Sequence, residues 1–256
     1  MLLEDIQNDI RASALGSPNC LRVGPFLLWH NPDWNSRYAN YAIPDAGAAP
    51  TAGEVAELVA AFDALDRLPR LEYVPSCAPR VEPALLEAGF VVENHAVLMS
   101  CEAAWLVAPS PVPGLRISEP ADEDGLRAIA AVQHLAYDED GEPGAGQLAW
   151  LRRTCASGGL VALGCLDGVP VAAGVSAPPV NGLSELTGLA VAAQVRGRGV
   201  GAAVAGYLTG NALARGSRVV WLEPGDPDIQ RIYARLGYRD VGEKLNISLP
   251  GGSPSS

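Results

Sequence analysis

The chain has 256 residues, 48% of them hydrophobic and 18% charged, with a formal net charge of −11. This is a globular composition, with room for one large domain or two small ones. The acidic balance excludes non-specific binding to nucleic acid or to an anionic membrane, since both need a basic face, and no Lys/Arg-rich run supplies one; Lys244 is the only lysine. The start, Met1-Leu2-Leu3-Glu4-Asp5, has neither the positive flank nor the apolar stretch of a signal peptide, and no run of about 20 uninterrupted apolar residues offers a membrane span. Five scattered cysteines, Cys20, Cys77, Cys101, Cys155 and Cys165, form no CxxC pair. They predict reduced thiols in a cytoplasmic protein, without a disulfide framework or a metal site.

In chain order, alternating apolar runs predict strands at 21–30 and 38–43, a helix at 54–68, a strand at 71–74, a helix at 83–88 and a strand at 91–99. The segment 109–114 reads PSPVPG; three prolines in six residues can continue neither a helix nor a central strand, so it is the expected linker. Beyond it, a short strand is expected at 115–117. Helices follow at 122–137, with a stripe of Leu126, Ile129, Ala130, Val132 and Leu135, and at 145–155. Strands at 160–166 and 169–177 are joined by Asp167-Gly168, a strong hairpin signal. A strand at 184–191, a helix at 201–215, a strand at 218–222, a helix at 228–236 and an extended stretch at 239–249 complete the pattern. The Gly/Pro/Ser-rich 250–256 reads as a flexible tail. The fold class is α/β, a mixed layer fold.

The two ends of the chain share an element order. A shift of 148 aligns 53–99 with 201–247 without a gap, with seven identities over 47 positions. Gly53, Ala64, Leu65, Arg67, Arg70, Pro79 and Gly89 meet Gly201, Ala212, Leu213, Arg215, Arg218, Pro227 and Gly237. The expectation is two related halves.

The strongest chemical signal is Gln194-Val-Arg-Gly-Arg-Gly-Val-Gly201, between a strand and a helix. Glycines allow close backbone approach, and successive N–H groups at a helix start hold an anion such as a pyrophosphate. Arg196 and Arg198 add charge-assisted donors. A Walker A loop needs Gly-Lys-Ser/Thr, which is absent. Gly197, Gly199 and Ala202 also match a dinucleotide fingerprint, with Glu223 ending the next strand. That fingerprint, however, expects the first strand of a parallel sheet, and here a hairpin meander precedes.

The stretch 185–238 resembles the GNAT family of N-acetyltransferases. Both frames of that family's (Q/R)xxGx(G/A) loop fit, as Gln194-x-x-Gly197-x-Gly199 and as Arg196-x-x-Gly199-x-Gly201. A second family segment is matched in spacing by Asp226-Pro-Asp-Ile-Gln-Arg-Ile-Tyr233-Ala-Arg-Leu-Gly237-Tyr238, with Asp226 in place of the usual Asn and Ile229 in place of the usual Ala.

The resemblance implies a mostly antiparallel mixed sheet flanked by helices, acetyl-CoA as the donor, and direct transfer to an amine of a small molecule or peptide. The implied donor-binding residues are Leu189, Ala190 and Val191 at the strand end, then Gln194, Arg196, Gly197, Arg198, Gly199, Val200, Gly201 and Ala202, with Asp226, Ile229 and Tyr233. Tyr233 stands where the family places the proton donor for the leaving thiolate; Glu185 and Glu223 are the candidate bases. Asp226 is equally readable as a helix cap before Pro227, and Tyr233 as a core residue.

The acids Asp138, Glu139, Asp140 and Glu142 attract a cationic acceptor or form a solvated loop. The resemblance covers about residues 115–249. The half at 1–108 is expected to be a degenerate GNAT-like copy. Its loop, 47–53, lacks arginine and carries Pro50, and Leu85 stands in place of Tyr233, so it is expected to bind no CoA. It would instead shape the acceptor cleft, lined by Trp29, Trp34, Tyr38 and Tyr41 or packing them as core. A monomer whose halves pair and a homodimer are both compatible with this layout. A non-catalytic acyl-CoA-binding module is the alternative to an enzyme.

Overall fold

The computed structural model describes residues 2–33, 37–137 and 144–251. Trp34 and the acidic stretch 138–142 lie outside the described residues. Two compact units divide the chain: one runs to Leu98 and resumes at Val241, and the other is Met99–Asp240. The PSPVPG segment therefore lies inside the second unit. Among the described residues no helix is long and apolar enough to cross a membrane.

The first unit opens with a helix the sequence reading did not include, α1 (Leu2–Leu15), which buries Ile6, Ile10 and Ala14 at four-residue spacing and carries Glu4 and Asp5 in its first turn. The expected strand 21–30 is a hairpin instead, β1 (Cys20–Val23) and β2 (Phe26–Trp29), turned at Gly24 with φ +49°. β3 (Tyr41–Pro44) pairs antiparallel with β2. α2 (Ala52–Ala64) is closed at its start by a capping box between Thr51 and Glu54. β4 (Arg70–Tyr73), α3 (Val81–Glu87) and β5 (Val91–Cys101) follow. β3 and β4 are parallel neighbours, in register at Ala42 and Leu71.

The second unit contains β6 (Leu115–Ser118), α4 (Glu123–Ala136), α5 (Ala145–Ala156), β7 (Leu160–Leu166), β8 (Val169–Ser176), β9 (Leu183–Val191), α6 (Val200–Ala214), β10 (Val219–Leu222) and α7 (Pro227–Arg235). β6 to β9 form an antiparallel meander. Asp167 and Gly168 both have positive φ, +50° and +85°, as the tight turn between β7 and β8 requires. The apolar stripe of α4 packs Leu126, Ile129 and Ala130 with Leu151 of α5 onto Val161, Ala173, Val175 and Ala190. Each such fully buried aliphatic side chain contributes about 1.5–3 kcal/mol relative to exposure.

The last strand, β11 (Arg239–Ser248), begins in the second unit and continues in the first. The 148-residue offset recurs in two pairs of element starts: α2 starts at Ala52 and α6 at Val200, while β5 starts at Val91 and β11 at Arg239. The equivalent strands are exchanged. β5 ends against β10, with Ser100 opposite Trp221, whereas β11 runs against β4, with Asn246 opposite Glu72.

In the first unit, α1 fills the gap at the ends of β3 and β4. Gln7, 1% exposed, donates Nε2 to the Pro44 carbonyl at 3.3 Å and accepts the Val74 N–H at 2.8 Å. Arg11 donates to the same carbonyl at 2.6 Å and to the Asp45 carboxylate at 2.5 Å. By the offset, Pro44 and Val74 correspond to Ala192 and Leu222 of the second unit.

Candidate active site

In the second unit the same place is differently built. β9 pairs in parallel with β10 only through Leu183, Ser184 and Glu185. From Leu186 to Val191 the edge of β9 has no strand partner on that side among the described residues. On its other side β9 is irregular: its register against β8 shifts between Ala173 and Val175, a β-bulge that bends the strand and re-aims its backbone. Gly188 sits in this bulge at φ +59°, and a Cβ there would come within 2.5 Å of Gln133 Nε2. Only glycine suits both demands.

β9 leads through a short turn, Ala193–Val195, into the glycine loop. Gly197 and Gly199 have φ of +76° and +82°. These left-handed values turn the chain into α6 with no acidic residue in its first turn and no side-chain cap. Among the described residues, none of the N–H groups from Gly197 to Ala202 has a main-chain acceptor. The first-turn groups of a helix that lack acceptors carry its positive end, the natural seat of a phosphate. The contrast with α2 is chemical: there Glu54 accepts from the Thr51 N–H at 2.7 Å and places a carboxylate where an anion would sit.

The two loop arginines separate in role. Arg196 Nε donates to the Val191 carbonyl at 3.0 Å, so its guanidinium ties the loop back to the end of β9. Arg198 is exposed, as is Gln194. Val200 is buried, and Gly201 and Ala202 are half-buried in the first turn of α6. A Cβ on Gly201 would lie 3.2 Å from Val191, so this turn seats closely on the strand end.

Tyr233 is buried, 5% exposed, on the inner face of α7. Its ring meets Tyr238 edge-on at 5.5 Å between centroids. Burial, and then the neighbouring Tyr137 phenol, push its hydroxyl well above the ordinary tyrosine value. The group therefore holds its proton at neutral pH. Ile229 stands one turn earlier on α7, half-buried. Asp226 is the N-cap of α7, accepting the Asp228 and Ile229 N–H groups at 2.8 and 2.9 Å. Glu185 and Glu223 are half-buried; Glu185 lies opposite Trp221 across the β9–β10 pair, and Glu223 follows β10 directly. Leu189 and Val191 are half-buried and Ala190 is buried.

Three residues bear on this site that the sequence reading did not assign: Gln133, Tyr137 and Gly188. Gln133 Nε2 donates to the Gly188 carbonyl at 2.8 Å, and the Tyr137 hydroxyl to the Leu189 carbonyl at 3.3 Å. The one sequence signal for them is the i, i+4 spacing of Gln133 and Tyr137 on α4. Among the described residues no group of His, Cys, Asp and Glu could hold a metal ion.

These residues fit an acyl-CoA. The uncapped helix start offers amides to a pyrophosphate, the open edge of β9 offers main-chain groups to the amide-bearing arm, and Tyr233 of α7 carries a phenol that is protonated at neutral pH.

Comparisons with known proteins bear on the fold and on the family of the second unit. Residues 124–238 match the acetyltransferase (GNAT) family model. A GCN5-related N-acetyltransferase from Kribbella flavida is 26% identical, with 97% of this chain and 96% of that one covered and a TM-score of 0.79. A GCN5-related N-acetyltransferase from Sphaerobacter thermophilus is similar in fold at 16% identity, covering 96% of this chain and 88% of that one, TM-score 0.63. A tandem GNAT protein from the clavulanic acid biosynthesis pathway is 12% identical over 94% of this chain and 86% of its own, TM-score 0.60. No curated protein sequence matches the chain. The acetyltransferase (GNAT) match thus covers residues 124–238, somewhat under half of the chain.

Proposed function

We propose that the second unit is an acetyl-CoA-dependent N-acetyltransferase acting on an amine. The observation that carries this reading is the uncapped start of α6 beside the open edge of β9. Bound acetyl-CoA would supply an activated acetyl thioester. The N–H groups of 197–202 would hold its phosphates, and Arg196 would keep the loop on the end of β9. Main-chain N–H groups of 189–191 would face the acyl carbonyl and oppose the charge that develops on its oxygen.

Proton traffic falls to three side chains. Glu185 or Glu223 would take the proton that the amine sheds as nitrogen bonds to carbon. Tyr233, held protonated, would donate to the sulfur as the C–S bond breaks. Its buried position keeps that proton in place at neutral pH.

The first unit would bind no donor. α1 occupies the gap between its strand ends through Gln7, and Glu54 closes the start of α2.

The test is thermal stabilisation by acetyl-CoA, CoA and NAD, followed by CoA release from acetyl-CoA in the presence of polyamines, aminoglycosides and peptide α-amines. Stabilisation by acetyl-CoA with turnover of one amine class supports the reading. Tight CoA binding with no turnover would identify a binding module instead, and protection by NAD alone would exclude both.

A further inference from the structure

Gln133 and Tyr137 stand one helical turn apart at the end of α4 and hold successive carbonyls of β9, those of Gly188 and Leu189. Successive carbonyls of a regular strand point to opposite sides. Here the bulge and the left-handed Gly188 bring both to one helix. Behind Gln133, Gln147 of α5 donates Nε2 to Gln133 Oε1 at 3.1 Å. That bond sets the orientation of the Gln133 amide: its oxygen faces Gln147, so its nitrogen faces Gly188.

Both glutamines are 3% exposed. Two buried amides are an expensive way to fill a space between helices that Leu or Met would fill without desolvating polar groups. The chain Gln147–Gln133–Gly188 ends on the segment of β9 that, among the described residues, has no strand partner on its β10 side. Without such a hold, an unpaired and bulged segment would relax toward regular pairing with β8.

We propose that Gln133 is a positioning residue for acyl transfer, supported by Gln147, with Tyr137 as a second tether. Together they hold the bulged segment 187–190 so that the main-chain N–H groups from Leu189 to Val191 stay aimed across the open edge at the reacting carbonyl. The proposal rests on the acetyltransferase reading above. Gln133 acts through the backbone of β9 and does not touch the acyl group.

The experiment uses the full chain and two variants, Gln133→Met and Tyr137→Phe. Hydrogen exchange is followed in the peptide covering 186–192 without ligand, and kcat and KM are measured with acetyl-CoA and the best panel amine. In Gln133→Met, exchange in 186–192 should rise at least tenfold while β7 keeps its protection. Its kcat should fall at least tenfold with KM for acetyl-CoA changed less than threefold, a split that general loosening of the fold would not produce.

Wild-type exchange and kcat in Gln133→Met would overturn the proposal. If that variant does not fold, Tyr137→Phe decides, since its ring is half-exposed. An exchange rise confined to 186–192 supports the tether, and unchanged exchange overturns it. A wild-type chain that turns over no amine defeats the acetyltransferase reading. A wild-type chain that does, beside a Gln133→Met variant with full kcat, defeats the positioning role alone.

Discussion

Lys244, the only lysine of the chain, places its Nζ 2.5 Å from Oε2 of Glu72 in the interior of the first unit, and both side chains are less than a tenth exposed. Arg70 holds the other Glu72 oxygen and also meets Glu93 at 3.1 Å. Two cations and two carboxylates thus balance. Burial raises the Glu72 carboxyl, but Lys244 and Arg70 outweigh it and leave it below its ordinary value of 4.5.

A depressed carboxylate stabilises the fold fully above its unfolded value, and that stability is lost as pH falls through the folded one. Lys244→Met leaves a buried carboxylate half-paired and should destabilise the chain by about 3 kcal/mol at neutral pH. It should also move the onset of acid unfolding to higher pH. Urea titrations at pH 7 and pH 4 check both; an unchanged midpoint would show the pair to be dispensable.

Tyr233→Phe removes the proposed proton donor and keeps the ring that packs on Tyr238. A fall in kcat of about 100-fold or more is expected, with CoA binding retained. Because burial raises the Tyr233 hydroxyl above 10, ionisation of this group should not limit the wild-type rate below that pH. An alkaline limb falling near pH 8 in wild type and lost in the Phe variant would contradict the burial argument.

Gly199→Ala places a Cβ at φ +82°. The left-handed conformation disfavours alanine by about 1 kcal/mol. Relief of that strain would turn the amides of 197–200 away from a phosphate. Calorimetry should show at least tenfold weaker acetyl-CoA binding with little change in melting temperature. Unchanged affinity would remove the loop from the donor site.

Titration of the whole chain with acetyl-CoA should give one site. Two sites would mean that α1 does not seal the first unit. Gln7→Leu leaves the Val74 N–H buried without its acceptor and should cost about 1–3 kcal/mol, read by chemical denaturation.

Much of this architecture was legible locally. The hydrophobic period placed α4, the apolar, Ala-rich run placed α6, Asp167-Gly168 placed the β7–β8 turn, and Asp226-Pro227 marked the start of α7. The strand expected at 21–30 was wrong in one respect, because Gly24-Pro25 turns the chain within it. α1 was missed although Ile6, Ile10 and Ala14 mark its buried face.

By itself the sequence determined the element order from residue 115 onward and the position of the glycine loop. Those depend on side-chain periodicity and on backbone freedom at single positions, which short windows record. Only the tertiary structure decided which strand ends stay open and which are filled. The exchange of β5 and β11, the plug of Gln7 and the hold of Gln133 on Gly188 join residues distant in the chain: Gln133 and Gly188 are 55 positions apart, Glu72 and Lys244 172. Such contacts follow from packing and topology and leave no local pattern to read.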